Sequence, residues 1–258
     1  MALPPKGAWK HLLSVGFEAL TKYPAAWPPI MVLVLVKICL ILFGGRLMAP
    51  YVSPLYFPFA LGTISAPLSF LISGYCLYGL LFGFVPIKWP HILASMGRYF
   101  LAVLLLLVCL IGVMAVAGGL GFLVGYGRAH FDNVVVTIVL PVLLLAFTLV
   151  FIFFATIRMS FLVVIALAEN RISLSYAWRL SRGWVGSLMA CFLVITLLSA
   201  AAPVALFLAG RGADQNLVMG VTSITSAITT LIYYAVVVTA YKKAAEDQPP
   251  VPLAVESF

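Results

Sequence analysis

Residues Val185 to Ala209 read VGSLMACFLVITLLSAAAPVALFLA, and no charged side chain occurs between Arg182 and Arg211. A helix rises 1.5 Å per residue and needs about 20 apolar residues to cross roughly 30 Å of hydrocarbon, so this stretch can form one membrane span. Outward from it the same pattern repeats. No charge lies between Arg46 and Lys88, Arg98 and Arg128, Asp132 and Arg158, or Asp214 and Lys242. The stretch from Trp27 to Gly45 adds a sixth apolar segment, interrupted only by Lys37. The sequence therefore predicts an all-α, polytopic membrane protein: a six-transmembrane-helix bundle with spans at about 27–45, 59–84, 100–124, 134–156, 185–209 and 217–241.

Composition supports the same class. The 258 residues are 64% hydrophobic and 9% charged, with a mean hydropathy of +1.19. A soluble domain carries about 25% charged residues. The net charge of +8 has a topological reading, because Lys and Arg are retained on the cytoplasmic side of membrane spans. With the N-terminus inside, the inner segments hold Lys6, Lys10, Lys22, Lys88, Arg98, Arg158, Arg171, Arg179, Arg182, Lys242 and Lys243. The outer segments hold only Arg46, Arg128 and Arg211. This asymmetry predicts a multi-pass membrane protein with both termini cytoplasmic. No basic face with interleaved aromatics lies outside the spans, so nucleic acid is not an expected partner.

The region 1–243 reads as a single membrane domain, and 244–258, with its Gln248-Pro249-Pro250 and Pro252, as a flexible tail. Before the first span, Trp9, Leu12, Leu13, Phe17 and Leu20 recur at helical spacing opposite Lys10, His11, Glu18 and Lys22. That pattern predicts an amphipathic helix over 7–22, lying in the headgroup region. The run from Val134 to Ala168 is apolar apart from Arg158 and would make a helix of roughly 50 Å, well beyond the hydrocarbon thickness. A break near Arg158 is therefore expected, with 160–168 at the inner interface. A single long helix is the alternative.

Catalytic signatures are absent. His11, His91 and His130 are scattered, no H-E-x-x-H, G-x-S-x-G or P-loop occurs, and none of the seven carboxylates falls mid-span. Cys39, Cys76, Cys109 and Cys191 all fall within spans without a C-x-x-C pair, so they read as small apolar residues rather than metal ligands. The expectation is a non-enzymatic protein with no metal and no cofactor. Lys37 is the one charge inside a span. A charge there costs at least about 2.5 kcal/mol on insertion scales, which makes Lys37 a candidate intramembrane polar site. Two hydroxyl stripes accompany it, Ser65, Ser69 and Ser73 on span 2 and Thr222, Thr225, Ser226, Thr229 and Thr230 on span 6. Such residues suit close helix packing with interhelical hydrogen bonds, or the lining of a solute path. Gly118, Gly119, Gly121, Gly125 and Gly127 read as packing positions in the same way.

The loop between spans 4 and 5 carries the densest pattern, RMSFLVVIALAENRISLSYAWRLSRGW over Arg158–Trp184. Ser173 is placed to cap a short helix, Leu174, Ala177, Trp178 and Leu180 to pack it, and Gly183 to end it. Arg179 and Arg182 are placed to meet Glu169 or the anionic headgroups of the bilayer. Arg158, Glu169, Arg171, Trp178, Arg179 and Arg182 form the candidate interaction loop. The order of features, an Arg, an apolar run to a Glu, then Ser-x-x-x-Ala-Trp-x-Leu-Ser-Arg-Gly-Trp, resembles six-span bacterial inner-membrane proteins. These include the membrane domain of some glycerophosphoryl diester phosphodiesterases and related stand-alone proteins of unknown function. Val163-Val164-Ile165 stand where that pattern usually carries a proline. The resemblance implies an architecture and a place in a bacterial inner membrane, and brings no catalytic residue with it. Two functions are expected from these features. One is an accessory, scaffold or assembly subunit that partners other membrane proteins. The other is a small-solute or lipid transporter.

Overall fold

Helix formation follows from long runs of Leu, Phe, Val and Ala punctuated by proline at helix starts. The computed structural model describes residues 7–44, 57–84, 95–121 with gaps after 105, 139–169, 171–209 and 215–246, and among these it contains helices and no strand. The helices are α1 (Ala8–Lys22), α2 (Trp27–Cys39), α3 (Phe57–Phe82), α4 (Ser95–Leu105), α5 (Leu140–Ala168), α6 (Leu174–Ser181), α7 (Val185–Ala209) and α8 (Gln215–Glu246). A 3-10 turn at Pro24–Ala26 leads into α2, and a π-helical turn at Leu40–Gly44 prolongs it. Prolines in the first turns of α2 and α5 cost nothing, because those positions lack a helical acceptor.

Four of these helices are long and apolar enough to cross a membrane: Pro24–Phe43, Thr63–Phe82, Val185–Leu206 and Leu217–Glu246. They match the first, second, fifth and sixth expected spans, with ends displaced by only a few residues. The expected span at 100–124 is described as helix only through Leu105 and at isolated positions up to Gly121, and 134–138 lie outside the described residues, as do Cys109, Gly125, Gly127, His91 and His130. The helix α8 continues to Glu246 with Ala244 buried, so the first residues of the expected tail are helical.

The chain divides into two compact units, one of Met1–Ile92 with Gly186–Phe258 and the other of Leu93–Val185. In the first unit, α2, α3 and α8 pack together through Ile30, Leu33, Ile72, Cys76, Leu77 and Leu231. Lys242 donates from Nζ to the Leu80 carbonyl at 3.2 Å, and Phe192 of α7 meets Tyr233 of α8 edge-on at 5.3 Å.

The helix α1 is docked on α8, where the sequence places it in the headgroup region facing lipid. Its buried ridge is Ala8, Leu12, Gly16 and Ala19, whereas Phe17 of the expected apolar face stays exposed. Small residues on that ridge let the two backbones approach. A Cβ on Gly16 would stand 2.9 Å from Cγ2 of both Ile232 and Val236 and 3.2 Å from the Ile232 carbonyl oxygen. Two further contacts hold α1 in place: Trp27 Nε1 donates to the Leu20 carbonyl at 2.7 Å, and Cys191 Sγ to the Trp9 carbonyl at 3.3 Å. Gly16→Leu is expected to lift α1 from α8. The readout is maleimide labelling of a Leu12→Cys reporter, blocked in the parent and fast in the Gly16→Leu background. Gly16→Ala asks the flexible Ile232 and Val236 side chains to yield, and its effect is expected to be smaller.

In the second unit the expected break near Arg158 is absent. The helix α5 runs without interruption through all 29 residues. Its first half exposes Val142, Leu143, Phe147, Val150 and Phe151, while Ile157 and every residue from Phe161 to Leu167 are buried. The segment assigned to the membrane interface from sequence is thus the most buried part of the helix. Nothing in 159–168 forces a break, since it holds neither glycine nor proline.

Candidate binding cleft and the Arg158 cluster

Lys37 and parts of both hydroxyl stripes converge. Lys37 on α2, Ser69 and Ser73 on α3, and Ser226 and Thr230 on α8 line one cleft within the first unit, of about 80 Å³. Its remaining walls include Ile30, Leu33, Ile72, Cys76, Ala227, Leu231 and Tyr234. This volume accommodates a few water molecules or a group the size of a carboxylate or phosphate. Pro67, two residues before Ser69, lies inside α3 without an N–H for the helical ladder.

The hydroxyls differ in what they offer. On α8 the threonines bond back to their own helix, and the expected bonds between helices are not what holds them. Thr225 donates to Val221, Thr229 to Thr225 and Thr230 to Ser226, at 2.7–3.0 Å between oxygens. Such back-bonding satisfies the proton and leaves the oxygen as an acceptor. The side-chain hydroxyls of Ser69, Ser73 and Ser226 have no hydrogen-bond partner among the described residues and are free to donate to a group bound in the cleft. Ser65 is buried outside the cleft lining, and Thr222, Thr225 and Thr229 also fall outside it. The carboxylates of the sequence lie at Glu18, Asp132, Glu169, Asp214, Glu246, Asp247 and Glu256, none within α2, α3 or the membrane-crossing part of α8 around the cleft. Lys37 accordingly makes no ion pair among the described residues. A cationic group with hydroxyl donors and no fixed anion is a receptor for an anion.

The loop candidates form their own cluster in the second unit. Arg158 is buried, with its guanidinium 4.4 Å from the Trp178 ring centre and 5.0 Å from that of Phe154. Its Nη1 donates to the Trp178 carbonyl at 2.5 Å and to Ser181 Oγ at 3.1 Å. Those acceptors sit in the last turn of α6, where the helix dipole favours a cation. Burial and the neighbouring Arg182 charge both push the Arg158 pKa down, and the stacked rings with the carbonyl oppose that by favouring the charged form. Ser173 caps α6, its Oγ accepting from the Tyr176 N–H at 3.4 Å, as the sequence predicts.

The packing face of α6 is rotated from expectation. Tyr176, Ala177, Leu180 and Ser181 are buried, whereas Leu174 and Trp178 are about half exposed. Glu169 pairs with Arg171 at 3.8 Å and accepts from the Tyr176 hydroxyl, and Arg171 stacks 4.2 Å from the Tyr176 ring centre. Burial, then the Glu169 charge, hold the Tyr176 phenol above its ordinary pKa. Arg179 and Arg182 are exposed. Sequence reasoning missed Phe154, Tyr176 and Ser181; the aromatic positions one turn from Arg158 and within α6 were the available signal. No protein-family model, no curated protein and no solved structure matches this chain.

Proposed function

We propose that this chain is a non-enzymatic, multi-pass membrane carrier that binds the anionic group of a small solute or a lipid at Lys37. The observation that carries this reading is the convergence of Lys37, Ser69, Ser73 and Ser226 from three helices on one cleft. An intramembrane cation without a partner is a functional feature by default, and here it is supplied with hydrogen-bond donors. The reading takes the chain as a six-span protein with both termini inside, from the uncharged stretches and the basic-residue asymmetry, and places it in a bacterial inner membrane as the resemblance implies.

The test is binding and transport by the purified protein. In proteoliposomes, Lys37→Ala is expected to abolish uptake of an anionic substrate and the thermal stabilisation that the substrate produces. Stabilisation unchanged by Lys37→Ala overturns the proposal. The accessory-subunit reading stands second. It draws on α7, which turns Leu193, Leu197, Leu198 and Leu208 outward as a face for lipid or for another membrane helix. Stoichiometric partner subunits copurifying with a protein indifferent to Lys37→Ala would favour it.

A further inference from the structure

We infer that the occupant of the cleft is an amphiphile: one singly negative head on an alkyl chain, rather than a small hydrophilic anion. This deepens the carrier reading and rests on it. The first argument is charge balance. Lys37 is the single ionisable cation in the lining, and no carboxylate lies among the lining residues. A monoanion leaves a neutral complex, whereas a dianion or a zwitterion leaves a charge stranded in a medium of low dielectric.

The second argument is how the lining is arranged along the helices. Along α2 the lining runs from Lys37 back through Leu33 to Ile30, and Ile72 and Leu231 add apolar wall beside the hydroxyls of Ser69, Ser73 and Ser226. Ile30 precedes Lys37 by two turns of α2, so the apolar part extends about 10 Å from the charged part. A sugar or a hydroxy acid placed there would leave most of its polar groups without partners, each at a substantial penalty. An alkyl chain has none to satisfy.

The third argument is size. The cleft of about 80 Å³ holds a head and its first methylenes and no more. The rest of the chain must leave the cleft, and on the same helices Met31, Val32 and Leu35 of α2 and Ile64 and Leu71 of α3 present an exposed apolar surface. In a bilayer that surface meets hydrocarbon, which is where an alkyl chain belongs.

The experiment measures binding to the full chain in nanodiscs of zwitterionic lipid, with palmitate, phosphatidylglycerol, acetate and hexadecanol as probes. Palmitate or phosphatidylglycerol is expected to bind, and whichever binds names the head as carboxylate or phosphodiester. Lys37→Met should weaken that binding about tenfold or more, the loss of a charge-assisted hydrogen bond. Leu33→Trp, filling the apolar part, should block the long-chain probe. Acetate and hexadecanol, each carrying half of the required chemistry, should bind at least tenfold more weakly. Circular dichroism and melting of both variants keep a folding failure from passing as a positive result. Acetate binding as tightly as palmitate, with both lost in Lys37→Met, overturns the amphiphile and leaves the anion carrier standing. Long-chain binding that ignores Lys37 overturns both.

Discussion

Lys37→Met is expected to raise the melting temperature of the empty protein while abolishing its response to anions. The two effects have opposite signs because the same charge is a liability without ligand and the anchor with it. Placing a lysine mid-span costs about 2.5–3.5 kcal/mol on insertion scales, and Lys37 is only partly buried, so a gain of about 1–2 kcal/mol is expected from replacing it with an isosteric apolar chain. A lysine retained for packing would behave the other way, since its loss would open a void or orphan a partner. Differential scanning fluorimetry of the two proteins, with and without ligand, decides the matter. Destabilisation of the empty variant would mean that Lys37 holds the helices together. Stabilising substitutions that abolish function are the signature of a site kept under strain for use.

Arg158→Ala is expected to free α6 from α5 and to destabilise the second unit by about 3 kcal/mol, combining charge-assisted hydrogen bonds with two ring contacts. The Trp178 carbonyl and Ser181 hydroxyl lose their donor, and the Phe154 and Trp178 rings lose the cation that contacts both. Arg158→Lys keeps the charge but not the flat fork, so it should recover less than half of the loss. Hydrogen exchange reads this directly: amides of 174–181 should exchange quickly in Arg158→Ala while those of α8 keep their protection. Unchanged protection in α6 would show that its apolar face alone suffices to hold it.

Much of this fold is legible in the sequence because hydrocarbon imposes its own length scale. Apolar stretches of membrane width, uncharged but for Lys37, mark α2, α3, α7 and α8 to within a few residues. The Ser173 cap is equally local, one hydroxyl serving one amide three residues on. What escaped is what depends on a tertiary partner. Arg158 reads as the end of a span only while its charge is assumed to need water; the Trp178 carbonyl and Ser181 hydroxyl of α6 supply the alternative, and α5 runs on. The placement of α1 was hidden for a different reason. Lipid and protein both reward an apolar stripe, and only the small residues Ala8, Gly16 and Ala19 distinguish the ridge that meets a helix. The cleft stands between these cases. Its charge and its hydroxyls are visible as isolated anomalies, but their meeting requires three helices that the sequence keeps far apart.

The docking of α1 on α8 also sets a schedule. Gly16 belongs to the earliest described helix and its receptor, Ile232 and Val236, to the latest, so during synthesis α1 waits for nearly the whole chain. Between them the ribosome delivers α4, α5 and α6 of the second unit, and α5 and α6, neighbours in sequence, can pack at once. Biogenesis should therefore complete the second unit before the first. Through that interval Lys37 lies in the membrane without its third wall, and a nascent chain halted before Gln215 is the form that quality-control proteases would meet.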